Sequence, residues 1–92
     1  MVRSITKDGD GPLPFDPEEV LIAVTKHFRK TWMRKWGWDY DDVREALRDC
    51  HRVSRQGSAK WEVFVRKKGS KKLVITYDEE VQEVYVITGA EG

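Results

Sequence analysis

Residues 60–77 read KWEVFVRKKGSKKLVITY. From Lys60 to Lys67 the side chains alternate, with Trp61, Val63 and Val65 on one side and Glu62, Phe64 and Arg66 on the other. That is the period of a half-buried strand, although Phe64 also wants burial and leaves the choice of inner face open. Lys68-Gly69-Ser70-Lys71 interrupts the alternation, with Gly-Ser in the class of two-residue hairpin turns. Leu73 to Tyr77 then resumes with β-forming residues. The stretch predicts a hairpin, and the hairpin makes the second half of the chain a sheet.

The neighbours on both sides extend it. Downstream, Asp78-Glu79-Glu80 turns the chain and Val81 to Thr88 supplies another strand. Upstream, Arg52-Val53-Ser54-Arg55 is a short strand followed by a Gly57-Ser58 turn. Connections this short join adjacent antiparallel strands, so the expectation is a four-stranded meander.

Before residue 52 the grammar is helical. Asp16 is placed as an N-cap, Pro17 as the first helical residue, and Glu18 and Glu19 face the positive end of the helix dipole. Phe15 and Val20 have the spacing of a hydrophobic staple. Leu21, Val24, Phe28 and then Thr31 or Trp32 recur at three to four residues, and Gly37 ends the run. A second helix starts on the N-cap Asp39 with Asp42 at its third position. Trp38 and Val43 form another staple, and Val43, Ala46, Leu47 and Cys50 form the apolar stripe, ending near His51. The expected fold is α+β, with two N-terminal helices packed on one face of a four-stranded antiparallel sheet. Residues 1–14, with Gly9, Gly11, Pro12 and Pro14, read as a flexible N-terminal arm, and 15–92 as a single domain.

The chain has 92 residues, 39% apolar and 36% charged, which predicts one modest core under a strongly ionic surface. One cysteine, Cys50, excludes an intramolecular disulfide and any site built on several cysteines. No apolar run approaches the about 18 residues of a membrane span, and the N-terminus shows no secretory h-region. The expectation is a cytoplasmic protein with no membrane contact.

The net charge of +1 conceals a partition. Residues 1–25 carry 2 basic and 5 acidic side chains, residues 26–72 carry 15 and 6, and residues 73–92 carry none and 5. A middle segment of net +9 fits a polyanionic partner, or else folds against the acidic ends and neutralises them.

His27 and His51 are the only histidines, 24 positions apart, and neither belongs to a metal-binding pattern. No cofactor motif, phosphate loop or Gly-x-Ser-x-Gly is present. What remains is a basic set with a histidine and hydroxyls: Lys26, His27, Arg29, Lys30 and Arg34, then Arg52, Arg55 and Lys60, then Arg66, Lys67, Lys68, Lys71 and Lys72. RNA cleavage without a metal needs such groups. A base takes the 2′-hydroxyl proton, an acid protonates the leaving oxygen, and cations stabilise the crowded phosphate. Histidine suits either proton role, and the arginine fork suits the phosphate.

Thr25-Lys26-His27, Gly37, Asp42-Val43-x-x-Ala46-Leu47 and the terminal Val84-Tyr85-Val86-Ile87-Thr88 resemble the pattern of a small uncharacterised domain family. That family opens on threonine-x-histidine and closes on V-x-T. It is similar in element order to the RelE- and BrnT-type toxins of the barnase- and colicin-like ribonucleases. The resemblance spans about residues 20–89. It implies a RelE-like fold and a metal-independent RNA endonuclease acting on free or ribosome-bound RNA and neutralised by an antitoxin protein. It maps the family histidine onto His27 and the terminal hydroxyl onto Thr88. Thr31 stands where the family has an arginine, and the histidine-to-glycine spacing is one residue longer. Arg29 and Lys30 are the nearby substitutes; Arg52 and Arg66 are candidates on chemistry alone.

Each candidate has a plainer reading. His27 also fits a helix-surface position, and His51 a cation at the negative end of a helix. Arg66 fits a cross-strand charge pair, and Lys67, Lys68, Lys71 and Lys72 a solvated hairpin tip. Trp32, Trp36 and Trp38 fit core packing, or a stacking platform for bases if a ring is exposed. On that plainer reading the domain is a non-catalytic RNA- or protein-binding module.

Overall fold

The computed structural model describes residues 13–91. The elements are β1 (Leu21–Val24), helix α1, helix α2 (Tyr40–Arg48), β2 (Arg52–Arg55), β3 (Lys60–Arg66), β4 (Ser70–Asp78) and β5 (Glu83–Glu91). Helix α1 is three contiguous pieces: Lys26–Phe28, a wide π-type turn at Arg29–Met33, and Arg34–Trp36. The fold is α+β, as expected. The sheet has five strands in the order β1-β5-β4-β3-β2, and it is mixed, because β1 runs parallel to β5 while the other neighbours are antiparallel.

The expected four-stranded antiparallel sheet is therefore corrected at one place. Asp16 does cap a turn, accepting the amide of Glu18 at 2.9 Å, but the turn stops after one cycle. Leu21–Val24 is a strand whose register is Leu21 opposite Glu83 through Val24 opposite Val86. The amides of Leu21 and Thr25 are bonded to the carbonyls of Gln82 and Val86. Four consecutive apolar residues fit helix and strand alike, and the backbone of β5 offers a partner that a sequence stripe cannot show. The Arg44 guanidinium holds the preceding turn down by donating to the carbonyls of Pro17 (2.7 Å) and Val20 (3.0 Å).

Helix α1 starts instead at Lys26, where the Thr25 hydroxyl caps it by accepting the Phe28 amide at 3.0 Å. Gly37 ends it at φ 68, the left-handed conformation in which glycine carries no Cβ penalty. Helix α2 has the expected capping box, Asp39 and Asp42 each accepting the other's amide at 2.9 Å. It stops at Arg48, so Cys50 lies past its end. The hairpin turn is shifted from the expected Gly-Ser pair. Ser70 pairs with Arg66 inside the ladder, and Lys68 and Gly69 hold the positive φ angles.

Both helices cover one sheet face. Val63, Val65, Leu73, Ile75, Val84 and Val86 are fully buried beneath Phe28, Met33, Val43, Ala46 and Leu47. Trp36 links Phe28, Trp32 and Trp38 through ring contacts of 6.1, 5.2 and 4.8 Å, so the tryptophan cluster is core packing. Phe64 lies on the other face. Most of the expected N-terminal arm lies outside the described residues, and Leu13 and Phe15 pack against the core.

Candidate functional site

β1 covers β5 only as far as Val86. Immediately beyond, the β4–β5 register slips, with Ile75 opposite Val86 but Val74 opposite Thr88, so Ile87 is an extra residue in a bulge. The slip reverses the alternation that follows it. Without it, Thr88 would point to the helix side like Val84 and Val86. With it, Thr88 pairs with Val74 on the open face and Gly89 turns in under α1. The Ile87 carbonyl accepts the Thr25 hydroxyl at 2.6 Å. One threonine thus caps α1 and ties its first turn to the bulge.

These two devices set the distance between His27 and Thr88. The His27 Nε2 lies 3.1 Å from the Thr88 hydroxyl oxygen, a contact between residues 61 positions apart. The hydroxyl donates to a neutral Nε2 or accepts from a protonated one. Either bond fixes the ring at an exposed edge while leaving Nδ1 free. Both residues come from the resemblance, and the fold brings them together.

The other candidates are placed differently. On α1, residues two apart point to opposite sides, so Arg29 is directed away from His27, while Lys30 and Thr31 sit one turn further along its own side. From Val20 to Trp38 there are five Lys or Arg and no Asp or Glu. Lys26, Arg29, Lys30, Arg34 and Lys35 are all exposed. None of the five has a carboxylate partner among the described residues, so helix α1 presents a basic ridge beside His27.

Arg52 and Arg66 are on the open face, but on the far side of the sheet. Arg52 is on β2, three strands from β5, which at the usual strand spacing is about 14 Å. Arg66, on β3, is two strands and four residues along from Thr88, about 17 Å, and no arginine side chain closes either gap, so Arg52 and Arg66 do not join His27 and Thr88 around one phosphate. The Arg52 guanidinium lies over the Phe64 ring, 4.9 Å from its centroid.

Three of the four candidate hairpin lysines serve the fold. Lys67 pairs with Glu45 and, at 3.3 Å, with Asp42 on α2. The Glu45 bond holds the Lys67 ammonium above its ordinary value; Lys67 holds Glu45 below its own, and the Asp39 backbone amide, aided by Lys67, holds Asp42 below its own. Lys71 is 6% exposed, donates at 2.7 Å to the carbonyls of both Lys67 and Lys68, and lies 5.4 Å from the Trp36 ring. Lys72 pairs with Glu62 at 3.4 Å. Lys68 alone of the four is exposed and has no side-chain partner among the described residues, so the expected solvated tip holds for one lysine of the four. Lys71 shares the alternation of Leu73 and Ile75, a signal that marked it as inward.

The opposite end of the open face carries a shallow groove of about 660 Å³ lined by Ala23, Thr76, Tyr85, Asp78, Glu79, Glu80 and Glu83 among others. Its carboxylates repel phosphate, whereas the other end of this face carries Arg52, Arg66 and Lys72. Thr25, Ile87 and Phe64, which carry the geometry, were not among the sequence candidates. Burial pushes the Cys50 thiol up, away from reactivity. No helix among the described residues is long and apolar enough to cross a membrane. No protein-family model, curated protein or solved structure matches the chain.

Proposed function

We propose that this domain is a metal-independent RNA endonuclease of the RelE/BrnT-like type, acting at the His27–Thr88 edge. The observation that carries the reading is the 3.1 Å contact between the two residues that the resemblance singles out from opposite ends of the domain. His27 is the proton-transfer group and Thr88 orients its ring. Neutral His27 takes the 2′-hydroxyl proton, the 2′-oxygen attacks phosphorus, and the 5′-oxygen leaves with a proton from the water that reaches this exposed edge. The products are a 2′,3′-cyclic phosphate and a 5′-hydroxyl. Lys30, one turn from His27, and Lys26 offset the phosphate charge.

The extra residue between His27 and Gly37 has a physical counterpart that supports the reading. A π-type turn takes up one more residue than an α turn, and it lies between those two positions at Arg29–Met33. On this reading the domain works in the cytoplasm on free or ribosome-associated RNA, held in check by an antitoxin. The second reading is a non-catalytic RNA-binding module on the same surface. The distance of Arg52 and Arg66 from His27, and Thr31 in the arginine position, favour it.

The test is cleavage of purified RNA and of translating ribosomes in EDTA by wild type, His27→Ala and Thr88→Val. Cyclic-phosphate ends lost in His27→Ala and reduced in Thr88→Val support the enzyme. Binding without cleavage by folded wild type supports the module. Equal cleavage by wild type and His27→Ala rules His27 out.

A further inference from the structure

We propose that single-stranded RNA reaches the His27–Thr88 edge across the open face of the sheet, with one unpaired base stacked at the Arg52–Phe64 pair. The inference rests on the RNA reading above and adds a second subsite to it.

Among the described residues no helix lies over the open face. Its strand register places Thr88 beside Val74, and Val74 beside Glu62. One row further along, Ala90, Lys72, Phe64 and Arg52 follow one another across β5, β4, β3 and β2. Arg66 and Ser70 close that end. A half-buried aromatic ring on this face of β3, one strand in from the β2 edge, with a guanidinium over it at 4.9 Å from the centroid, is an arrangement that core packing does not call for. Arg52 is exposed and forms no ion pair with a carboxylate among the described residues. The Phe64 ring lies against the guanidinium, and the exposed Arg52 side chain keeps that planar group reachable from solvent. A nucleobase stacks on such a plane, and only an unpaired base presents a free face to it.

Charge fixes where on the sheet the strand runs. On the open face, the end carrying Arg52, Arg66 and Lys72 has one carboxylate among the described residues, Glu62, and Lys72 pairs with it at 3.4 Å, while Glu91 belongs to the helix side. The other end carries Asp78, Glu79, Glu80 and Glu83 around the groove. A polyanion is attracted to the first end and repelled by the second. From Phe64 on β3 to Thr88 on β5 is two strand spacings and one row, about 12 Å between backbones, a span of a few nucleotides. From there the strand meets the basic ridge of α1. Such a track explains why the two arginines lie too far from His27 to touch the same phosphate: they hold a neighbouring nucleotide.

The experiment uses the full chain, a short unstructured oligoribonucleotide with a fluorescent end label, and EDTA throughout. Affinity is measured for wild type, Arg52→Lys, Phe64→Leu and Glu83→Gln, and cleavage is followed in parallel. Arg52→Lys keeps the charge and loses the plane. Phe64→Leu keeps the apolar bulk and loses the ring, and circular dichroism checks that it folds. Both are expected to weaken binding roughly tenfold, while Glu83→Gln causes no loss. If wild type binds or cleaves RNA and neither Arg52→Lys nor Phe64→Leu weakens it, the track is overturned and the His27 reading stands. If polyglutamate binds wild type as tightly as the oligonucleotide does, charge alone is being read and the stacking subsite is overturned. If folded wild type neither binds nor cleaves RNA, both inferences fall together.

Discussion

Phe28 packs directly on Gly89, so closely that a Cβ at position 89 would stand 3.1 Å from Phe28 Cε1 and 3.0 Å from Trp36 Cη2. The Lys72 carbonyl lies 3.1 Å away on the remaining side. Both rings belong to the helix that carries His27, so Gly89 sets how near that helix comes to β5. Gly89→Ala crowds the methyl against both rings, so they, and α1 with them, are pushed away by a few tenths of an ångström. The expected cost is about 1–3 kcal/mol, the usual range for overpacking. It is read from urea unfolding, with a fall in any RNA cleavage larger than the fraction unfolded explains. Unchanged stability would show that α1 shifts freely and that Gly89 does not control its seat.

The Lys67–Glu45–Asp42 cluster gives the fold a pH dependence with a definite sign. Glu45 is held below its ordinary 4.5, chiefly by Lys67, and Asp42 below 3.8, chiefly by the Asp39 amide. A carboxylate whose value is lower in the folded state binds protons more readily when unfolded. Its stabilisation is therefore present above about pH 4.5 and fades as the pH falls through the lower folded values. Lys67, raised above 10.5, keeps its contribution through neutral pH and loses it only in strong alkali. Lys67→Met should leave Tm at pH 7 lower than wild type and flatten the drop between pH 5 and pH 2.5. Parallel Tm curves for the two proteins over that range would remove the cluster as the cause.

Some of this architecture was legible in the sequence, and the reason differs by residue. The Asp39–Asp42 box is written within four positions, so its reading needed nothing beyond the chain itself. The alternation from Trp61 to Val65 likewise marked a strand, but Phe64 left its inner face open until the helices were seen to cover Val63 and Val65. Leu21–Val24 was misread as helix because four apolar residues satisfy both periods and the cap at Asp16 is genuine. Only a partner 62 positions away, in parallel register, decides for strand. His27 and Thr88 carried a signal through motif alone, since no local pattern shows the bulge at Ile87 that turns Thr88 to the open face. Arg52 and Arg66 had the right chemistry, but strand order, a non-local property, set their distance from His27. Lys71 was misread because lysine beside a turn normally points to water, and here two turn carbonyls receive it instead.

The wide turn at Arg29–Met33 makes a final, discriminating test. If it absorbs one surplus residue, deleting Lys30 lets α1 close into regular α geometry with both ends in place. Thr25 would still cap the first turn, Gly37 would still end the helix, and the buried Phe28 would keep its seat. Deleting Glu45 from the regular helix α2 has no such slack. It rotates Val43 by about 100° relative to Ala46 and Leu47, pulling buried side chains off the sheet, at a cost on the order of 3 kcal/mol or more. Thermal unfolding of the two deletions, compared with wild type, decides the matter. The Lys30 deletion is expected within a few degrees of wild type and the Glu45 deletion far below it. A Lys30 deletion as damaging as the Glu45 deletion would mean that the wide turn is required by packing around Trp32 and Met33, and that the longer His27–Gly37 spacing is built into the core.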